Sequence, residues 1–214
     1  MKLYSYFRSS ASFRVRIALR LKGLDFEYVP VHLTRGGGEQ FSPTYRALNP
    51  AGLVPALEDD GGVLTQSLAI IEYLEEKYPR PALLPAGAAD RARVRALALS
   101  IACEIHPLNN LRVLGYLSKT LGVTDEAKNA WYRHWVETGL ATVETLLAGD
   151  PRTGRYCHGE APGMADVLLV PQIFNAQRFD CKLDHVPTVM RIHEACLQLP
   201  AFADSAPMKQ PDAE

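Results

Sequence analysis

The stretch "KLYSYFRSSASFRVRIALRLKGLDFEYVPV", residues 2–31, decides the fold of this chain. Its opening "KLYSYF" is short and rich in aromatic residues, which favours a β-strand. The following "SFRVRIALRLKG" has apolar residues at helical spacing and stops at Gly23, a good C-terminal cap. Because "FEYVPV" predicts a second strand, the order of strand, helix and strand predicts a parallel βαβ unit.

The next segments extend this unit into a small α/β domain. After the loop "TRGGGEQ" a short helical stretch ends near Asn49, and "LVPALEDDGGVLTQS" predicts a hairpin around an Asp-Gly-Gly turn. Ser67 stands where an N-cap belongs, ahead of the helical pattern "LAIIEYLEEKY". Residues 1–80 therefore predict a βαβαββα domain with a mixed sheet.

The rest of the chain predicts helices. The proline-, alanine- and glycine-rich residues 81–88 are typical of a linker, and we assign 89–214 to an all-helical domain. Its first helical segment is interrupted by Pro107, which should kink it. The predicted helical segments are 91–121, 125–147, 164–178 and 187–199.

Composition excludes several classes of function. With 47% hydrophobic residues, 22% charged residues and a net charge of −1, the chain is an ordinary globular protein, and we expect neither a nucleic-acid nor a membrane partner. Its four cysteines lack the spacing of a zinc site or a disulfide framework, so we expect no metal and reduced thiols. No signal peptide or membrane-length apolar run is present, and we expect a cytoplasmic location.

The serines at the start of the first helix predict an anion site or simple caps. If the helix begins at Ser10 or Ser12, the hydroxyls of Ser9 and Ser10 lie beside unsatisfied N–H groups and the positive end of the helix dipole. Such a place can hold an anion, including a thiolate, although serines there also serve as plain N-caps. Arg8 favours the anion, because capping needs no cation.

Two further stretches of the first domain have the chemistry of a ligand site. Pro55 cannot donate to a sheet, and a cis Val54-Pro55 bond would leave the N–H and C=O of Val54 able to pair with a peptide-like ligand. The sequence leaves cis and trans open. Gln66 and Ser67 precede a helix whose first N–H groups can receive a carboxylate, or Ser67 is a plain N-cap.

The loop "HLTRGGGEQF" fits no phosphate-binding fingerprint, because neither the glycine spacing nor a Lys-Ser/Thr ending is present. It is either a mobile flap that touches a ligand through His32 or Gln40, or a surface loop.

Five linked motifs resemble the zeta class of glutathione transferases, whose members include maleylacetoacetate and maleylpyruvate isomerases. In chain order they are "SSASFRVRIAL", "NPAGLVPAL", "QSLAIIEYLEE", "IHPLNNLRVL" and "GMADVLLVPQIFNAQRFD". The resemblance covers nearly the whole chain. It implies a thioredoxin-like N-terminal domain, glutathione as the cofactor, an all-helical domain covering the site, and a homodimer.

The resemblance also implies residue roles. Ser9 would hydrogen-bond the glutathione sulfur, with Ser10 close by. Val54, before a cis Pro55, would pair with the cysteinyl part. The γ-glutamyl end and the glycyl side would be held by Gln66 and Ser67 and by Gln40, respectively.

The implied reaction is cis–trans isomerisation of a small dicarboxylate. A thiolate adds to a conjugated cis double bond, rotation follows, and the thiol leaves, so glutathione is not consumed. The substrate carboxylates need cations, and we assign Arg8 and Arg178 to them. His106 and Asn110 are candidates for contact with glutathione or substrate, although His106 is equally explained as a helix histidine satisfied by a neighbour.

Other residues in these motifs carry no role in the reaction. Arg14 and Arg16 are expected to point away from the site as structural or surface residues, and Arg112 is expected to face solvent. Ala11 stands where many relatives have a cysteine, so any role of that thiol is absent here. Gly163 replaces the usual serine or threonine N-cap, at a predicted cost of about a few tenths of a kcal/mol.

Two alternatives remain at this point. The same pocket would suit conjugation or dehalogenation of small α-halo acids. A non-enzymatic binding or scaffold protein would have a disabled site, yet Ser9, the Val54-Pro55 pair, Gln66 and Ser67 are all present.

Overall fold

The computed structural model describes residues 1–214, which divide into two compact units. The first unit contains Met1–Ala82 together with Gln198–Glu214, and the second contains Leu83–Leu197. The sequence predicted that the helical domain would continue to residue 214, whereas the structure places the C-terminal segment 198–214 with the first unit.

Hydrogen bonds explain why the C-terminal segment joins the first unit. The Arg16 guanidinium donates to the Ser205 carbonyl at 3.1 Å, and the Asp212 carboxylate accepts from the Phe7 N–H at 3.0 Å. These partners are about 200 positions apart in the chain, so no local sequence pattern reveals the pairing.

The first unit has the predicted order βαβαββα. Two short 3-10 turns, Arg35–Gly37 and Glu39–Phe41, precede its second helix. Its elements are β1 (Lys2–Ser5), α1 (Ser10–Leu21), β2 (Glu27–Pro30), α2 (Pro43–Leu48), β3 (Ala56–Asp59), β4 (Gly62–Thr65) and α3 (Ser67–Lys77).

The four strands form one mixed sheet in the order β2-β1-β3-β4. β1 is parallel to β2, and β3 is antiparallel both to β1, with Tyr4 opposite Ala56, and to β4, with Ala56 opposite Thr65. The β3–β4 turn has positive φ at Asp60 (48°) and Gly61 (74°), the signature of a type I′ turn, so the predicted hairpin is confirmed. The carboxyl ends of β1, β2 and β4 and the amino end of β3 consequently lie at one edge of the sheet.

Helix α1 is buried almost all round. Residues 12–19 are all buried, against α3 and against the C-terminal segment. This burial includes Arg14 and Arg16, which are 2% and 0% exposed, so a surface position for them is wrong. The apolar periodicity identified the helix correctly, but it did not show that both arginines find polar partners inside the unit.

The second unit is helical, as predicted. The interruption at Pro107 is confirmed: a π-helical turn (Ser100–Ile105) and a 3-10 turn (His106–Asn109) separate two helices, because proline lacks an N–H. The helices of this unit are α4 (Ala88–Leu99), α5 (Leu111–Lys119), α6 (Asp125–Ala148), α7 (Met164–Arg178) and α8 (Pro187–Leu197). The C-terminal segment adds the short α9 (Pro200–Ala203) and a 3-10 turn (Pro207–Lys209) to the first unit.

Glycine at the start of α7 follows from a close backbone approach. A Cβ at Gly163 would lie 2.9 Å from the Leu83 carbonyl oxygen, a separation that side chains do not tolerate. Asp166 accepts from the Gly163 N–H and from the Cys157 N–H, both at 2.8 Å. The start of α7 is therefore capped without a hydroxyl, and a serine or threonine would force the backbone apart.

No helix of the structure has the length and apolar character needed to cross a membrane. All four cysteines are free thiols, with Cys103 exposed and the other three buried.

Candidate functional site

The predicted ligand-binding residues of the first unit come together at one edge of the sheet. Ser9 follows β1, the Val54-Pro55 pair precedes β3, and Gln66 follows β4. The antiparallel register places the end of β1 beside the start of β3, and the start of β3 beside the end of β4. The loop after β2 reaches the same edge because β2 is parallel to β1. Residues as far apart in the chain as Ser9 and Gln66, 57 positions, thus lie at one edge of the sheet.

Ser9 is both the N-cap of α1 and a free hydrogen-bond donor. Its Oγ accepts from the Ser12 N–H at 3.2 Å, and its own N–H donates to the Tyr6 carbonyl at 3.0 Å. A hydroxyl that accepts one bond keeps its proton for another partner. The first turn of α1 contains no acidic residue, so the positive end of the helix dipole is uncompensated by a side chain. Capping and anion binding are therefore compatible roles of the same hydroxyl.

Arg8 places a cation directly before this hydroxyl. Its Nη2 donates to the Tyr6 hydroxyl at 2.9 Å, and the guanidinium carbon lies 4.9 Å from the centre of the Phe7 ring. The side chain is half-buried and forms no ion pair with a carboxylate of the chain. It is consequently available to an anionic ligand. Ser10, the first residue of α1, is buried.

The backbone polar groups of Val54 have no hydrogen-bond partner within the chain. The Val54-Pro55 peptide bond is cis, and neither the N–H nor the C=O of Val54 has a hydrogen-bond partner. The preceding Leu53 carbonyl is held by the Tyr45 hydroxyl and by the Asn49 amide, both at 2.7 Å. Burial raises the pKa of Tyr45 to about 12, so its hydroxyl remains a donor at neutral pH. The segment is fixed while its polar groups stay free.

Gln66 and Ser67 occupy a strained start of α3. Gln66 has a φ of 68°, which is uncommon outside glycine and clusters at ligand-binding positions. Its side chain is exposed and caps no helical N–H, so the first N–H groups of α3 have no side-chain acceptor. A carboxylate is the ligand group that such a helix start accepts.

Arg14 contacts Ser67, a predicted site residue, contrary to the expectation that it points away. Its buried guanidinium donates to the Ser67 Oγ at 3.4 Å and so links α1 to the start of α3. The expectation that Arg14 points away assumed that only one face of α1 is buried, whereas residues 12–19 are buried on every face of the helix. Nothing in the local sequence signals this contact.

The loop after β2 is packed at its two ends, where His32 and Gln40 are buried, whereas residues 34–37 between them are exposed. Gln40 is buried, with its Nε2 donating to the Leu33 carbonyl at 3.2 Å and its Oε1 without a partner. The His32 ring lies 2.6 Å from the Glu214 carboxylate at its Nε2 and accepts from the Arg35 N–H at its Nδ1. These contacts argue against a mobile flap at His32.

The remaining candidates lie in the second unit. The structure brings two of them together, since the Asn110 Nδ2 lies 3.5 Å from the His106 Nε2, and Asn110 also caps α5 by accepting from the Arg112 N–H. Arg178 is exposed at the last position of α7, with its guanidinium carbon 5.4 Å from the Phe179 ring centre. Arg112 is exposed, as predicted. The catalytic and binding roles of the other three stay predictions.

Comparisons with known proteins show the family to which this chain belongs. The family model described as "Glutathione S-transferase, N-terminal domain" matches residues 3–82, which contain the sheet and its edge. A maleylpyruvate isomerase of a Ralstonia species is 51% identical, with 100% of both chains covered.

Solved structures share the whole architecture. A maleyl pyruvate isomerase, described as a bacterial zeta-class glutathione S-transferase, is 50% identical with a TM-score of 0.97 and 100% of both chains covered. A maleylacetoacetate isomerase of Methylobacterium extorquens AM1, solved with bound malonate and glutathione, is 44% identical with a TM-score of 0.96, also with 100% of both chains covered. The chain belongs to the zeta class of glutathione transferases, the family of the glutathione-dependent maleylacetoacetate and maleylpyruvate isomerases.

Proposed function

We propose that this protein is a glutathione-dependent cis–trans isomerase that converts a maleyl-keto acid, maleylpyruvate or maleylacetoacetate, to its fumaryl isomer. One observation carries the proposal: the Arg8 guanidinium, which has no carboxylate partner in the chain, directly precedes the Ser9 hydroxyl. Both residues lie at the edge of the sheet where Val54 and the start of α3 also lie. A thiolate site and a carboxylate site are thereby adjacent.

The residues at this edge fit glutathione. The four strands span three inter-strand spacings, about 14 Å in total, and an extended tripeptide measures about 10 Å. The free N–H and C=O of Val54 would pair with its cysteinyl residue as an added strand does. Gln66 and Ser67 would hold the γ-glutamyl amino acid end, and Gln40, on the opposite side of the edge, is assigned to the glycyl side.

When bound, glutathione supplies a thiolate that adds to the cis double bond and leaves after rotation, so it acts without net consumption. The Ser9 O–H would donate to the sulfur, and the start of α1 would add the positive end of its dipole. Both effects stabilise the thiolate and lower the pKa of the thiol. Ser10 would contribute its backbone N–H to the same helix start.

Arginine would bind the substrate carboxylates. Arg8 is suited to the carboxylate nearest the reacting carbons, because it directly precedes Ser9 and its planar fork matches two oxygens. We assign the distal carboxylate to Arg178, and contacts with glutathione or substrate to His106 and Asn110. These groups would hold the substrate while rotation takes place about the former double bond, which thiolate addition has made a single bond.

The decisive experiment follows both substrates and glutathione together. Purified protein is given maleylpyruvate or maleylacetoacetate with substoichiometric glutathione, and the products are followed by proton NMR. We expect the fumaryl isomer over many turnovers, no reaction without glutathione, and unchanged total glutathione. Accumulating thioether, or halide release from α-halo acids as the dominant activity, would overturn the proposal.

We also propose a homodimer in a reducing, cytoplasmic setting. Exposed Phe41 and Val63 give the first unit apolar surface for a partner copy, and four free cysteines are typical of a reducing compartment. Sedimentation at micromolar concentration should show a dimer, and a monomer there would contradict this part.

A further inference from the structure

The turn that contains Arg8 and Ser9 is fixed by hydrogen bonds to residues that are distant in the chain. It runs from Tyr6 to Ser9 and is closed by the Ser9 N–H, which donates to the Tyr6 carbonyl at 3.0 Å. Phe7 lies in the middle of this turn, and its side chain is fully buried. Any rotation of the Phe7 peptide groups would move both Arg8 and Ser9.

Asp212 holds the amino side of Phe7. Its Oδ2 accepts from the Phe7 N–H at 3.0 Å, and its Oδ1 accepts from the Tyr28 hydroxyl at 2.6 Å. Tyr28 belongs to β2 and is therefore fixed by the sheet. The carboxylate is thus aimed at the turn by a rigid donor on its other side.

Arg16 holds the carbonyl side of Phe7. Its guanidinium is fully buried and donates from Nη2 to the Phe7 carbonyl at 3.0 Å, from Nη1 to the Ser5 hydroxyl at 3.1 Å, and from Nε to the Ser205 carbonyl at 3.1 Å. Ser205 and Asp212 both belong to the C-terminal segment. Both polar groups of Phe7 are therefore tied to Asp212 and Arg16, neither of which has a proposed role in binding the ligand.

From these contacts we infer that Asp212 is a positioning residue for the reaction: by holding the Phe7 N–H, it fixes the turn that aims the Ser9 hydroxyl and the Arg8 guanidinium. The inference rests on the proposed function, because it takes Ser9 as the donor to the glutathione sulfur. Asp212 itself makes none of the ligand contacts proposed above.

The direction in which the thiol pKa moves separates positioning from a direct charge effect and from a purely structural role. If Asp212 acts by aiming Ser9, its loss misplaces the donor and raises the pKa of the bound thiol. If its negative charge acted directly through space, removal would instead lower that pKa. If it only stabilises the fold, the thiol pKa stays constant while the melting temperature falls.

The experiment compares three full-length variants. Asp212→Ala removes the acceptor, and Asp212→Asn keeps an acceptor oxygen for the Phe7 N–H while removing the charge. Asp204→Asn is the matched control, because this carboxylate of the same segment is half-exposed and pairs with the exposed Lys209. For each, the thiolate absorbance of enzyme-bound glutathione is titrated against pH, and kcat, KM and melting temperature are measured.

We expect Asp212→Ala to raise the thiol pKa by about one unit and to lower kcat at neutral pH about tenfold, with KM for the substrate changed less. Asp212→Asn should retain kcat within about twofold, because the hydrogen bond to Phe7 survives. Asp204→Asn should match the wild type in all four measurements.

The outcomes that overturn the inference are distinct from failure of the proposed function. An unchanged or lowered thiol pKa in Asp212→Ala would refute positioning. If Asp212→Ala does not fold, Asp212→Asn is the deciding variant: a thiol pKa equal to the wild-type value is the expected result, and a thiol pKa below the wild-type value would refute positioning in favour of a direct charge effect. A wild-type protein that forms no thiolate with glutathione would instead refute the proposed function.

Discussion

Replacing Ser9 by alanine should remove two separable contributions of one hydroxyl. Loss of the N-cap bond to the Ser12 N–H costs about 1 kcal/mol of unfolding free energy, a melting-point decrease of about 2–4 °C for a chain of this size. Loss of the hydrogen bond to the thiolate costs about 1.5–3 kcal/mol, because the acceptor is charged. That second amount corresponds to a rise of about 1–2 units in the pKa of the bound thiol.

The pH dependence distinguishes the two contributions. Below the wild-type thiol pKa, Ser9→Ala should be about 10–100-fold slower than the wild type, and the difference should shrink once the pH exceeds the raised pKa. The assay is the rate of fumaryl product formation between pH 5 and pH 9 at about saturating glutathione, together with the thiolate absorbance of the binary complex.

Two variants serve as controls. Thr124→Ala removes the equivalent N-cap of α6, whose Oγ1 accepts from the Ala127 N–H at 3.2 Å, so stability falls and the thiol pKa stays constant. Ser9→Asp keeps an N-cap but places a carboxylate beside the sulfur, so stability is retained and the thiol pKa rises. A thiol pKa in Ser9→Ala within about 0.3 unit of the wild type would refute the role of Ser9.

Three further predictions concern the fold. Lys22→Ala removes a buried ammonium that donates to the Glu75 carboxylate at 2.8 Å and to the Tyr78 and Pro81 carbonyls, and it should lower the free energy of unfolding by about 3–5 kcal/mol. Lys2→Ala, at the more exposed Lys2–Glu58 pair, should lower it by less than about 1 kcal/mol. Equal losses in urea titrations would contradict the burial argument. Burial lowers the pKa of His193 from its usual 6.5 to about 4. Between these pH values the unfolded chain binds more protons, so the free energy of unfolding should fall by about 3 kcal/mol as the pH decreases from 6.5 to 4. His193→Gln should flatten this slope in denaturant titrations at several pH values, and a persisting slope in this variant would disprove the assignment. Gly163→Ala should destabilise the protein by about 1–3 kcal/mol, because its Cβ would lie 2.9 Å from the Leu83 carbonyl oxygen. Gly115→Ala, inside α5 with open space around its Cβ, should be neutral or stabilising by up to about 1 kcal/mol. If the melting temperature rises in both variants, the backbone near Leu83 moves to accommodate the new methyl group and the prediction is wrong.

Much of the architecture was predictable because local signals agree. Strand, helix and turn patterns predicted the βαβαββα order and the hairpin around the Asp-Gly-Gly turn, since these depend on residues a few positions apart. The structure shows that this turn is of type I′, with positive φ at Asp60 and Gly61. Pro107 was identified as an interruption because a missing N–H is a property of the residue itself. The chain after Pro107 does not continue as a kinked helix, because Asn110 caps a separate helix, α5.

The candidate site was predictable only in part. Ser9, Val54-Pro55 and Gln66-Ser67 stand out because hydroxyls, prolines and helix starts have recognisable chemistry. Arg14 was missed because its contact with Ser67 joins two helices, and periodicity shows which face is apolar but not where a long polar side chain ends. Gln40 is more enclosed than expected, with its amide nitrogen already donating to Leu33.

The sequence by itself determined the secondary structure order, the family, and the chemical character of the residues around the site, because each depends on short-range patterns and side-chain type. The resemblance assigned Ser9, Val54 and Gln66 to one ligand, and the tertiary structure supplied the physical reason, since strand register places all three at one edge of the sheet. The tertiary structure also decided that the Asp212 carboxylate accepts a hydrogen bond from the Phe7 N–H, about 200 residues away in the chain. Such pairings arise because the C-terminal segment 198–214 packs against the first unit, where the buried Arg16 and the Phe7 N–H need hydrogen-bond partners, and no local sequence pattern encodes this packing.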